Sequence, residues 1–405
     1  MDAPSLSARC PLLPRGPASC DSIPRNGGPI SYPAASESCR DYIPLPFPPS
    51  AFSQPARSAL AAITMLRSSL ARNSAPLRTL SRSVMRGQGA GARYTGPAKM
   101  VTKITDLNAT QVAAVLELAH KMKANPKDYY DALPNETLLM LFEKPSLRTR
   151  VSLETGMTEL GGHAISYMIG DSPLGKKETY GDTGACLSRY VAAITARVTS
   201  REQIAGLTAT ADVPVVNALD DWAHPMQILA DMQTIEEKFG SLKGVKMAYL
   251  GDIRNNVTYD LMRGGALMGY TVAVAGPQGA QYEMEDGVVA ECEALAAASG
   301  GKIEVCKTAA EAVANADIVY TDSWQSYGIK QTEERISQLM PFQVTEAVMA
   351  QAKPSAIFMN CLPAMRGEEQ TAGVIDGPQS VVFDQAENRL HAQKALLYLL
   401  ITRQI

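Results

Sequence analysis

The chain is 405 residues long, 46% apolar, and carries a formal net charge of −3. Its length accommodates two α/β domains and a tail, and its apolar content supports a packed core rather than disorder. The near balance of charge gives no basis for a nucleic-acid or anionic-membrane partner, and no segment approaches the ~20 apolar residues that span a bilayer.

Residues 1–100 read as a disordered presequence. The first 60 are rich in Pro and Ser without apolar periodicity, and Pro44, Pro46, Pro48 and Pro49 oppose regular structure. From Tyr42 to Thr105 there is no Asp or Glu, and residues 65–100 space Arg67, Arg72, Arg78, Arg82 and Arg86 among Leu, Ala and Ser. This is the composition of a mitochondrial transit peptide, which would send the protein to the mitochondrial matrix; a disordered basic tail has the same composition. The folded part is expected to begin near Lys103. Within it Cys186, Cys292, Cys306 and Cys361 read as free thiols in a reducing compartment. His120, His163, His224 and His391 are too scattered for a zinc site, so neither a metal nor another cofactor is expected.

Helix-like and strand-like segments then alternate. Gln111–Lys123 has helical periodicity, and Thr137–Phe142 is an apolar run of the buried parallel-strand type. Val151–Gly161 reads as a helix, Ala164–Tyr167 as a short strand, Asp182–Val191 as a helix and Ala193–Val198 as a strand. Helix Glu202–Thr208, strand Val213–Ala218 and the long helix Pro225–Phe239 complete a first set. The second begins with strand Val245–Asp252, helix Tyr259–Met268 and strand Tyr270–Ala275. Helix Glu285–Ala298, strand Lys302–Val305 and helix Ala309–Asn315 follow. Ala316–Asp322, Ala356–Asn360 and Ser380–Phe383 read as strands, and Glu387–Ile401 as an apolar closing helix. The predicted class is α/β: two doubly wound parallel-sheet domains, residues 101–238 and 239–385, with a C-terminal helix, 386–405, linking back to the first.

Ligands of such folds bind at the carboxyl ends of the strands, and the polar clusters of this chain fall there. After Thr137–Phe142 come Glu143-Lys-Pro-Ser-Leu-Arg-Thr-Arg150, a strand running into a helix start with two hydroxyls and two guanidinium groups. That combination suits a phosphate-like anion, or else is a helix cap with solvated arginines. Arg197 ends a strand, where it meets an anion or forms a surface ion pair. His224-Pro-Met-Gln227 opens a helix; a histidine held there can donate to a carbonyl oxygen, or is simply a satisfied loop residue. Gly251-Asp-Ile-Arg-Asn-Asn-Val257 lacks the glycine spacing of a dinucleotide turn, which argues against an NAD-dependent dehydrogenase, and its amides suit a polar small molecule or a plain turn. Asp322-Ser-Trp-Gln-Ser-Tyr-Gly328 offers a carboxylate for an amine. Met359-Asn-Cys-Leu-Pro-Ala364 puts Cys361 at a strand end, where an electropositive setting would lower its pKa, unless it is a buried inert thiol. Arg389, at the start of the last helix, is within reach of the cleft.

Taken together, Phe-Glu-Lys-Pro-Ser-Leu-Arg-Thr-Arg, His-Pro-Met-Gln-Ile-Leu-Ala-Asp, Asn-Cys-Leu-Pro and Ala-Glu-Asn-Arg-Leu-His-Ala-Gln-Lys resemble the signature blocks of the aspartate/ornithine carbamoyltransferase family, in its order and spacing, over residues 101–405. The resemblance implies transfer of the carbamoyl group of carbamoyl phosphate to the side-chain amine of ornithine. It implies that Ser146, Leu147, Arg148, Thr149, Arg197, His224, Gln227, Cys361, Leu362 and Arg389 hold carbamoyl phosphate. It places Asn256, Asp322, Ser326 and Tyr327 against the amino acid, with Arg148, His224, Cys361 and Asp322 as the catalytic set. It also implies a homotrimer with active sites between subunits, a neighbour's loop near Gly175-Lys-Lys-Glu178 helping to close each one.

Two positions depart from the family pattern. Asn360 stands where the family has histidine before Cys-Leu-Pro, and Tyr327 replaces the methionine of a Ser-Met-Gly turn. Asn360 cannot titrate, and Tyr327 enlarges the turn, so the alternatives are a relative acting on putrescine or an acylated ornithine, and a catalytically weak carbamoyl phosphate-binding homologue.

Overall fold

The computed structural model describes residues 99–171, 174–324 and 332–405; nearly all of the expected presequence and transit peptide lies outside this part. Four strands, β1 (Thr137–Phe142), β2 (His163–Met168), β3 (Ala193–Arg197) and β4 (Val215–Leu219), make one parallel sheet in the order β2-β1-β3-β4. Five more, β5 (Lys246–Leu250), β6 (Thr271–Ala275), β7 (Lys302–Cys306), β8 (Ile318–Tyr320) and β9 (Ile357–Met359), make a second in the order β7-β6-β5-β8-β9, also wholly parallel.

Side-chain alternation explains why the central strands are apolar throughout. Leu138, Met140 and Phe142 of β1 enter the main core while Leu139 and Leu141 enter another cluster on the opposite face. β5 divides in the same way, Met247 and Tyr249 to one side, Ala248 and Leu250 to the other. Helices cover both faces, so the run has no polar alternation. Winding reverses between β1 and β3 in the first sheet and between β5 and β8 in the second. Each sheet therefore opens a crevice at that pair of strand ends.

The last helix runs Val382–Ile401 and packs on the helices Pro225–Phe239, Ala109–Ala124 and Leu147–Glu159. The expected strand Ser380–Phe383 does not form: Ser380 makes only an isolated bridge to Phe358, and the helix has begun by Val382. Four residues with Val382 buried and Phe383 72% exposed fit either period, and length could not arbitrate. The short helices Glu333–Leu339, Glu346–Met349 and Ala372–Ile375 were not expected. Thr332 and Thr345 cap the first two by accepting from Arg335 N and Val348 N, a signal that Thr-Glu pairs do carry.

The two halves meet along the helices Pro225–Phe239 and Asn256–Met268. A Cβ on Gly264 would lie 2.7 Å from Met232 Cε and 2.8 Å from Ile228 Cγ2, so glycine sets how closely these helices approach. Gly264→Leu should therefore lower stability by about 1–3 kcal/mol through overpacking. Urea unfolding checks this: a lower midpoint is expected, and an unchanged one would refute the account of the contact.

Candidate active site

The cavity lies where the two crevices face each other. The helix Leu147–Glu159 starts directly after β1, with Ser146 as its N-cap in extended geometry. No acid sits in its first turn and the Ser146 side chain makes no capping hydrogen bond, so nothing local competes for the exposed N–H groups. β3 delivers Arg197 across a register shift between Ala196 and Arg197, an irregularity of the kind that re-aims a side chain at a strand end. Glu143 ties the two strand ends together: its N–H donates to Arg197 O at 2.9 Å, and its Oε2 accepts from Thr199 N and Oγ1, each at 2.8 Å.

Past β4, His224 precedes Pro225 and its backbone N–H donates to Asp260 Oδ2 at 2.9 Å. Asp260 belongs to the second half, and its carboxyl, pushed up to about 7 by burial, is opposed by the fully buried Arg263, 3.1 Å away. The Arg263 guanidinium also stacks over Trp222 at 4.5 Å. His224 itself is buried, its Nδ1 has no hydrogen-bond partner, and burial followed by Arg389 and Arg197 holds its pKa well below the usual value. It is therefore neutral at physiological pH, a donor or acceptor rather than a cation.

Arg389 reaches in from the last helix, donating from Nη1 to Gln227 Oε1 at 2.6 Å and from Nη2 to Thr149 Oγ1 at 3.2 Å. Gln393, its amide oxygen turned to Arg389, accepts from Nε and Nη2 at 3.0 Å each. Burial and then Arg197 lower the Arg389 pKa to about 10; burial is also the first cause lowering that of Arg148, to which Arg197 adds. Three guanidinium groups thus converge on one place.

On the other side stand the ends of β5, β8 and β9. Asn255 serves the backbone, accepting from Thr258 N and donating to Tyr249 OH at 2.9 Å, while Asn256 donates across the cleft to Asp220 O at 2.5 Å. Cys361 Sγ donates to Asp322 Oδ1 at 3.0 Å. Burial raises the Asp322 carboxyl, and burial followed by Asp322 raises the Cys361 thiol well above its ordinary range. The expectation of a lowered Cys361 pKa is corrected: the nearest charge is the carboxylate it bonds, so it stays a thiol. Asn360 is fully buried and shapes this turn, taking Leu362 N on its Oδ1 at 2.8 Å while Leu362 holds a φ of 57° that few non-glycine residues adopt.

These elements enclose a cavity of about 580 Å³. Its wall includes Ser146, Leu147, Arg148, Thr149, Arg197, His224, Gln227, Cys361, Leu362 and Arg389, and from the opposite side Asn256 and Asp322. Ser326 and Tyr327 lie outside the described residues. Asn360 does not line the cavity. Lys144 and Arg254, which belong to the segments singled out from sequence, do line it, as do Asp220 and Glu285, which were not foreseen. Asp220 follows β4 as the chosen residues follow theirs, and so was legible; Glu285 arrives through a tertiary ion pair with Arg201 at 3.0 Å, which no local pattern encodes.

Comparison with known proteins fits this geometry. Residues 99–237 match the family model of the aspartate/ornithine carbamoyltransferase carbamoyl-P binding domain, and residues 243–400 that of the Asp/Orn binding domain. The chain is 48% identical over 301 residues to an ornithine carbamoyltransferase of Parafrankia sp., covering 73% of this chain and 94% of that protein. This chain belongs to the aspartate/ornithine carbamoyltransferase family. An anabolic ornithine carbamoyltransferase of Pyrococcus furiosus is also 48% identical over 301 residues, 74% of this chain and 95% of its own. The solved ornithine carbamoyltransferase from Pyrococcus furiosus superposes with a TM-score of 0.72 at 47% identity, covering 76% of this chain and 98% of that one. The expected mitochondrial location is corrected by these relatives, which come from bacteria and archaea, organisms without mitochondria.

The buried neutral His224 gives a stability signature. An unfolded chain takes up a proton near the ordinary value of 6.5, whereas the folded state resists it, so this residue withdraws stability as pH falls below that point. Comparing urea unfolding of the native protein with His224→Gln from pH 7 to 5, the difference should move in favour of the variant by up to about 1.4 kcal/mol per pH unit. Parallel pH dependences would show that His224 is not held neutral.

Proposed function

We propose that the protein transfers the carbamoyl group of carbamoyl phosphate to the side-chain amine of L-ornithine, giving L-citrulline and phosphate. The observation that carries this is a cavity with Arg148, Arg197 and Arg389 at a helix N-terminus on one wall and the Asp322–Cys361 pair on the other. The first wall suits a phosphate dianion, the second an amine. In this reading residues 101–238 hold carbamoyl phosphate, 239–385 take the amino acid, and the C-terminal helix brings Arg389 back to the first half.

Carbamoyl phosphate already carries its leaving group, so the protein's task is orientation and charge. The attacking amine bonds to the carbamoyl carbon and the carbon–oxygen bond to phosphate breaks. Negative charge developing on the carbamoyl oxygen meets Arg148, Thr149 and neutral His224 as donors. Arg148 and Arg197 stabilise the departing phosphate with Ser146 and the N–H groups of Leu147 and its neighbours. Gln227, Leu362 and Arg389 hold the carbamoyl group in register. Asp322, Cys361 and Asn256 receive the ammonium form of the amine, and Asp322 takes the proton that leaves it. Ser326 and Tyr327 remain part of the proposal for the amino-acid end.

A homotrimer with sites between subunits fits the exposed apolar side chains at the start of the helix after β1, where Leu147 is 76% exposed and Val151, one turn on, is also exposed. A neighbour's Gly175–Glu178 segment would then close each site, and sedimentation equilibrium reads the mass directly. Among amine acceptors, putrescine or an acylated ornithine is the second reading, prompted by Tyr327.

The test is a carbamoylation assay with purified protein across ornithine, acylated ornithine, putrescine and aspartate. Ornithine should give the highest kcat/KM, and Arg148→Met should lower it by at least about 100-fold while the fold persists. No citrulline under any condition, or undiminished turnover by Arg148→Met, would overturn the reading.

A further inference from the structure

Asp231 lies one helical turn beyond Gln227 and is fully buried, its carboxyl raised to about 6 first of all by that burial. A carboxylate placed so deep needs several donors, and it has them from three separate elements. Oδ1 accepts from Gln227 Nε2 at 2.8 Å and from Gln385 Nε2 at 2.7 Å, and Oδ2 accepts from Tyr320 OH at 3.1 Å. Gln385 in turn accepts from Asn360 N at 3.0 Å, beside Cys361. Asp231 itself does not line the cavity; of its three partners only Gln227 does.

We propose that Asp231 is a positioning residue for carbamoyl transfer, acting through Gln227. A glutamine amide has two chemically opposite ends and no intrinsic preference for which faces where. By taking the amide nitrogen, Asp231 turns Gln227 Oε1 toward Arg389 Nη1, where it accepts at 2.6 Å. The reversed amide would set an N–H₂ group against the guanidinium, donor against donor, and Arg389 would lose the acceptor that steadies it between Gln227 and Thr149. The wall that grips the carbamoyl group is thus ordered from behind by a charge that never touches it. This inference rests on the carbamoyl-transfer reading above, in which Gln227 and Arg389 hold the substrate.

A double-mutant cycle tests it, with kcat and the KM for carbamoyl phosphate measured on the full chain and folding followed by circular dichroism. Asp231→Leu should lower kcat/KM for carbamoyl phosphate roughly 30- to 100-fold, as expected when a substrate-holding group loses its orientation. Asp231→Asn keeps one oxygen toward both amides, with Tyr320 free to turn its hydroxyl, and should stay within about 5-fold of the native enzyme, since a neutral amide oxygen still accepts. In a Gln227→Leu background, Asp231→Leu should cost almost nothing further, because its effect passes through the group already removed. If Asp231→Leu does not fold, Asp231→Ser carries the same cycle, its short hydroxyl falling back from the amide. Full multiplication of the two single effects, or an Asp231→Asn variant as impaired as Asp231→Leu, would overturn the proposal. Absence of carbamoyl transfer by the native protein would instead be a failure of the reading beneath it.

Discussion

The structure is organised around like charges brought together. Arg148, Arg197 and Arg389 come from three different parts of the chain, and burial with mutual repulsion depresses the pKa of Arg389 to about 10. A protein gains nothing in stability from such an arrangement, since each guanidinium desolvated next to another is unfavourable until an anion arrives. Everything around the cluster serves to hold it. The register shift aims Arg197, Gln227 and Thr149 fix Arg389, and the helix Leu147–Glu159 adds its N-terminal dipole to the same spot. The force that keeps the arginines together is the packing of the surrounding helices and sheets, so the site is preorganised at the expense of the core's stability.

The second sheet supplies the complementary half. Its strand ends carry Asp322 and Cys361, and its helix Asn256–Met268 carries Asp260, which grips the backbone of His224. That hydrogen bond, the Asn256 contact to Asp220 O, and the close approach at Gly264 are among the places where one half sets the geometry of the other. The C-terminal helix adds a further tie, with Arg389 facing the first sheet's ligands and Gln385 facing Tyr320 and Asn360 of the second. The two crevices form one cavity lined from both halves, and these contacts join the halves beside it.

Much of this was legible in the chain itself. Strands such as Thr137–Phe142 and the helix Pro225–Phe239 could be bounded to the residue because an apolar run or a Pro start marks them. The strand-end position of Ser146, Arg197, His224 and Asp322 followed from the alternation of elements alone. What could not be read depends on tertiary neighbours. The Cys361 thiol is governed by Asp322, thirty-nine positions away in sequence. Asp231 sits inside a recognisable block, yet its role emerges only when Gln385 and Tyr320 close around it. Short segments such as Ser380–Phe383 carry too few residues to distinguish a strand from a first helical turn. The two departures from the family pattern part company here: Asn360 is a buried turn-former away from the cavity, whereas Tyr327 lies in a stretch the structure does not describe.

The most direct test of this account is a calorimetric titration of the protein with carbamoyl phosphate in the absence of any amine. The account predicts saturable binding at one site per chain that weakens as salt is raised, becomes at least about 30-fold weaker in Arg197→Met, and is little changed in Asp322→Asn. Equal affinity in the native protein and Arg197→Met, or a loss confined to Asp322→Asn, would contradict it.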